Sequence, residues 1–82
     1  MKTYTIKTVS HAFMYTVASL TDELGVTQEF RGRSKWQALK QAFDHIGRGK
    51  ARILTDDYSL VKARKFGEIP RNFEVRYEVG RR

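Results

Sequence analysis

Residues 34–47, SKWQALKQAFDHIG, most narrow the folds open to this chain, because they combine helical spacing with a marked start and a marked stop. Trp36, Leu39, Phe43 and Ile46 recur at helical intervals and form one apolar stripe, while Lys35, Lys40, Gln41 and Asp44 fall largely off it. Ser34 followed by Gln37 fits a capping box, in which the serine oxygen accepts an otherwise unpaired N–H and the glutamine reaches back. Gly47 offers the left-handed position that closes a helix. The spacing predicts a helix over 35–46 with one face to bury, and the rest of the chain has to supply the surface it packs against.

The flanking segments alternate as strands do. In TYTIKTVSH, Tyr4, Ile6 and Thr8 oppose Thr5, Lys7 and Val9; FMYTVASL continues with β-branched and aromatic residues, TDELG is an acidic turn closed by Gly25, and VTQEFRGR returns. Residues 3–33 therefore read as a three-stranded antiparallel meander, with a first turn near Ser10 to Ala12. After the helix, ARILT is a strand. Asp56 and Asp57 could cap the next element. Residues 58–66 fit a short helix ending at Gly67, although Leu60, Lys62, Arg64 and Phe66 also alternate as in a strand; the helix reading is preferred. GEIPRN turns around Pro70. In NFEVRYEVG, Phe73, Val75, Tyr77 and Val79 face one way and Glu74, Arg76 and Glu78 the other. The order is βββ-α-β-(α)-β. It predicts an α+β fold, a small antiparallel or mixed sheet with one main amphipathic helix packed on one face.

With 82 residues, 40% apolar and 30% charged, the chain has the composition of one globular domain spanning 1–82. Cysteine is absent, which excludes disulfides and thiol catalysis and suits a reducing cytoplasm. The uncharged run from Thr8 to Thr21 follows two lysines like the core of a signal peptide, but His11, Thr16 and Ser19 break it and its alternation is that of a strand. No segment approaches the ~20 apolar residues of a membrane span.

The net charge is +7, and it is unevenly placed. Residues 1–30 carry Lys2 and Lys7 against Asp22, Glu23 and Glu29; the other fourteen basic residues lie beyond, against six acids. A regularly anionic partner would therefore meet the C-terminal two-thirds.

Signatures of catalysis are missing. GRGK at 47–50 lacks the glycine of a phosphate loop, since Asp44 stands in its place, and Ala51 stands where Ser or Thr should come after the lysine. His11 and His45 are far apart with no cysteine to join them in a metal site. The adjacent acids, Asp22–Glu23 and Asp56–Asp57, fall in turns. The expectation is no enzyme, no catalytic or metal residues and no cofactor.

Three strands, a helix and then a strand carrying ILTDD resemble the ribonuclease H-like fold in order. That family's metal chemistry uses further carboxylates on the first strand and first helix; here the first strand offers none and the helix only Asp44 near its far end, so the resemblance implies a version without the metal site. Residues 15–46, with DELG in a hairpin turn and FRGRSKWQAL leading into a helix, are similar to the arm-type DNA-binding domains of tyrosine recombinases, where a three-stranded sheet contacts DNA. The turn here is acidic and about 36 residues come after the helix. Short length, high charge and the missing catalytic signature also resemble small accessory proteins of bacteriophages.

The function expected from these readings is a small nucleic-acid-binding module, for DNA or RNA. Arg31, Arg33, Lys35, Arg48, Lys50 and Arg52 bracket the helix, and Lys62, Arg64 and Lys65 lie beyond it, followed by Arg71, Arg81 and Arg82; they would contact phosphates, with Tyr58 the candidate for stacking on bases. The bland alternative is that these charges only solubilise a small domain. A second alternative is a protein-interaction module or inhibitor that docks on an acidic face of a larger enzyme or nucleoprotein. Edge pairing of the last strand would give a homodimer.

Overall fold

The computed structural model describes residues 1–12 and 14–78. Five strands form one mixed sheet: β1 (Lys2–His11), β2 (Tyr15–Thr21), β3 (Thr27–Gly32), β4 (Ala51–Thr55) and β5 (Phe73–Tyr77), with α1 (Lys35–Ile46) between β3 and β4 and α2 (Tyr58–Lys65) between β4 and β5. The strand order is β3-β2-β1-β4-β5. β1, β2 and β3 pair antiparallel, whereas β4 lies parallel to β1 and β5 parallel to β4. The expected α+β class holds, and so does the helix at 58–66 in preference to a strand. The first turn moves: β1 continues to His11, and the Met14 N–H donates to the His11 carbonyl. Phe13 and Val79, expected in strands, lie outside the described residues, as do Arg81 and Arg82.

Both helices cover the same face. Register aligns Ile6 with Leu20 and Thr55, and Tyr4 with Ile53, which itself aligns with Val75. These side chains, with Ala18, Ala51 and Phe73, point toward the helices and build the core with Leu39, Leu60 and Ile69. Helix α2 contributes Leu60 and Ala63, three residues apart, while Phe66, which a strand reading would place on the same face as Leu60, is exposed. The other sheet face carries Thr3, Thr5, Lys7, Ser19, Arg52, Leu54 and Arg76, and among the described residues no helix covers it.

The predicted ends of α1 form with one change. The Gln37 N–H donates to Ser34 Oγ at 3.2 Å, but Gln37 Oε1 accepts from the Arg33 N–H at 2.6 Å instead of from Ser34. Gly47 takes φ 90 and ψ −154, a region essentially restricted to glycine, and its N–H donates to the Phe43 carbonyl.

The stripe is also rotated from the expected one. Ala38, Leu39, Ala42 and Phe43 are buried, and Trp36, expected to help hold the helix to the sheet, is 42% exposed. The cause lies in β3. A Cβ at Gly32 would stand 2.6 Å from the Ala38 nitrogen, so the helix backbone approaches the strand too closely for large side chains at the contact. Gln41 Nε2 donates to the Arg31 carbonyl at 2.6 Å and fixes the same approach from the next turn. Alanines face the sheet and the indole is turned out.

Replacing glycine by alanine inside a strand ordinarily stabilises slightly through the unfolded chain. Gly32→Ala should instead destabilise by about 1–3 kcal/mol, the cost of overpacking; urea denaturation giving an unchanged or raised midpoint would show that the helix can back away freely.

Candidate nucleic-acid interface

Because β1, β4 and β5 run the same way, the domain has two distinct ends: one where the three parallel strands begin and one where they finish. Helix α1 runs back from the second to the first, covering roughly 18 Å at 1.5 Å per residue over its twelve residues. The cations that bracket it in sequence are therefore separated. Arg33 and Lys35 stand at the finishing end, and Arg48 and Lys50 at the starting end. Arg31 and Arg52 project from the uncovered sheet face, where the registers Val17↔Arg31 and Thr3↔Arg52 place them.

Several of these cations are engaged within the domain. Lys35 Nζ lies 2.9 Å from Asp57 Oδ2 and 2.7 Å from Ser59 Oγ, with both charged side chains mostly shielded from water. Asp57 Oδ1 accepts from the Ser59 N–H and hydroxyl, so the second acid of the Asp56–Asp57 pair is the N-cap of α2. Burial by itself pushes the Asp57 carboxyl up; the Ser59 hydroxyl, Lys35 and the Ser59 N–H outweigh it and hold the group below its ordinary value. Arg52 and Arg76 share Glu74, at 3.5 and 3.1 Å. The Arg31 guanidinium lies 4.2 Å from the centre of the Tyr15 ring, which also stacks against His11 at 4.6 Å.

Arg48, Lys50, Arg64 and Lys65 all stand at the starting end, where Lys50 and Arg64 share one concavity. None of them takes part in an ion pair among the described residues. Arg71 joins them there, as does Lys2 at the start of β1. Lys50, Arg64 and Arg71 line a concavity of about 300 Å³ whose one acidic wall residue is Glu74. A second concavity of about 290 Å³ lies alongside, bounded by Lys2, Tyr4, Ile46 and again Lys50. The Asn72 amide donates to the carbonyls of Gly47 and Gly49 at 3.3 and 2.9 Å and pins the 47–49 segment beside the turn that leads into β5. The acidic β2–β3 turn shares this end on the far side of β1, where Glu23 accepts the Thr3 N–H at 3.1 Å. The basic region thus spreads from β1 toward β5, and Asp22 and Glu23 adjoin it only at its β1 side, where they line a smaller concavity of about 130 Å³ with Lys2 and Tyr4.

Lys2 is absent from the candidate residues that the sequence suggests, and Arg71 enters there only as one of the basic residues that follow the helix. The available signal is positional, since Lys2, Lys50 and Arg71 each stand at or just before the start of one of the three parallel strands. It has meaning only once the parallel pairing is known. Tyr58 and Lys62 lie elsewhere. Tyr58 is 48% exposed at the finishing end, edge-on to Tyr77 at 5.5 Å, with Lys62 Nζ 6.0 Å from its ring centre.

Arg64 has a further contact. Asn72 and Glu78 turn their backbone groups toward β4, so the alternation of the strand turns those of Phe73 outward, and Arg64 Nε donates to the Phe73 carbonyl at 2.9 Å. That bond covers part of the outer edge of β5.

Among the described residues no three metal-ligating side chains come together, and no helix is long and apolar enough to cross a membrane. No family model, curated protein or solved structure matches the chain.

A carboxyl held low in the folded state stabilises the fold above its unfolded pKa, and that contribution disappears as pH falls through the folded value. Asp57→Asn keeps a capping oxygen but removes the charge facing Lys35. It should cost about 0.5–1 kcal/mol near neutrality, with the gap from the parent closing as pH drops below the carboxylate range. A gap independent of pH in urea titrations would mean that the charge on Asp57 contributes nothing.

Proposed function

We propose that this chain is a non-enzymatic, cytoplasmic nucleic-acid-binding module that grips backbone phosphates at the starting end of its parallel strands. The observation that carries the reading is the convergence of Lys50, Arg64 and Arg71 from three segments around one concavity, with Arg48 and Lys65 at the same end of the sheet and none of the five in an ion pair among the described residues. Charges that served only solubility would gain nothing from convergence, and like charges brought together repel one another. A polyanion relieves that repulsion and releases counterions from its own backbone as it binds. Arginine donates two parallel hydrogen bonds to a phosphate, whereas lysine supplies a point charge that tolerates several geometries.

The element order, three strands, helix, strand, helix, strand, supports the likeness to ribonuclease H-like proteins, and within this proposal the chain is a version of that arrangement that binds without cutting. Asp57 is committed to the cap of α2, and β1 carries no acid that could join it. Contact with a larger protein through the edge of β5 is the weaker reading, because Arg64 already occupies the Phe73 carbonyl on that edge.

The combined variant Arg48→Ala, Lys50→Ala and Arg71→Ala tests the site. Fluorescence anisotropy with labelled oligonucleotides at several salt concentrations should show weakened binding of all sequences, with the slope of log K against log salt reduced by about 2–3. Arg52→Ala with Arg76→Ala, on the uncovered sheet face, should change the slope far less. Parent-like affinity and slope in the triple variant would reject this surface.

A further inference from the structure

The two concavities meet at Lys50, and only one of them contains a tyrosine ring. Met1, Lys50 and Ala51 contribute to both walls, so the two are neighbours around the start of β4. In the second, Tyr4 shares the wall with Lys2 and Lys50, and on its other side Tyr4 and Lys2 line a smaller concavity with Asp22 and Glu23. Tyr4 sits on the helix-covered face of β1, half-buried and packed against the core, so its ring is held in place before any ligand arrives. An aromatic side chain fixed in one concavity with two lysines combines the two elements that bind unpaired nucleotides: a π-face for the base and cations for the neighbouring phosphates.

Resting on the phosphate-binding proposal, we infer that the ligand is single-stranded and that Tyr4 is the residue on which one of its bases stacks. At about 290 and 300 Å³ the concavities lie at the small end of ligand-binding pockets, a size for one nucleotide each. A duplex presents phosphates on a convex surface and keeps its bases paired inside, so it can touch the rims but has nothing to put within. A single strand can turn successive bases inward. Lys50, common to both walls, then faces the phosphate that joins the two nucleotides; Arg64 and Arg71 meet the next phosphate on one side and Lys2 the next on the other. Tyr58, at the opposite end of the sheet, takes no part.

Three fluorescein-labelled probes test this at low salt: an oligothymidylate, an abasic oligomer of the same length, and a duplex of that length. The parent protein should bind oligothymidylate about tenfold more tightly than the abasic strand, within the range of one base–aromatic stack, and more tightly than the duplex. Tyr4→Leu, which still fills the core position, should bind oligothymidylate only as well as the abasic strand. Tyr4→Phe and Tyr58→Ala should keep the parent's preference. Retention of the preference in Tyr4→Leu, or parent binding to the duplex as tight as to the single strand, overturns the stacking inference while leaving phosphate binding in place. Failure of the parent to bind any of the three overturns both.

Discussion

The central position of β1 is the constraint on which the rest of the structure depends. It pairs antiparallel with β2 on one side and parallel with β4 on the other, so one strand belongs to both halves of the sheet. The antiparallel half can be made from contiguous chain with tight turns. The parallel half cannot, since β4 must start at the same end as β1, and the chain has to travel back across the sheet to get there. α1 is that return path. Its amphipathic stripe is buried because the crossover lays it on β2 and β3, and Gly32 sets how near it can come. A second return, through α2, then adds β5.

This connectivity also sorts the charges. Every crossover delivers the chain to the same end of the sheet, and a basic residue placed before each parallel strand arrives beside the others whatever its distance in sequence. Lys2, Lys50 and Arg71 span most of the chain yet stand at one end. At the other end the cation supplied by α1 is neutralised locally, by Asp57. The two ends are thus electrostatically unlike, and the difference arises from topology acting on an ordinary supply of lysine and arginine.

How much of this is legible in the sequence depends on how local the cause is. The bounds of α1 come from Ser34, Gln37 and Gly47, all within one turn of the helix ends they define, and the alternation in β1 and β5 reports directly which residues face the core. The choice of helix for 58–65 rests on the Asp57 cap, again a local contact. Periodicity misplaces Trp36 because its exposure is decided by Gly32, a residue of another element whose missing side chain leaves no periodic mark. Lys35 looks like a free cation in sequence because its partner lies 22 residues away. The flanks of α1 read as one basic region in sequence, but a helix separates its own flanks by its full length. The residues of the concavities meet only after three strands have been aligned, and no window along the chain contains them.

The bond from Arg64 to the Phe73 carbonyl bears on how substitutions at this position should be interpreted. An unprotected parallel edge is a template for fibril growth, and a guanidinium on an outward carbonyl blunts it. The same side chain lines the basic concavity, with its terminal nitrogens left for a second task. Selection against aggregation alone would therefore keep an arginine here in a chain that bound nothing. Across related sequences, invariance of Arg64 would not distinguish a ligand contact from a solubility device. Joint retention of Lys50 and Arg71, which guard no edge, would.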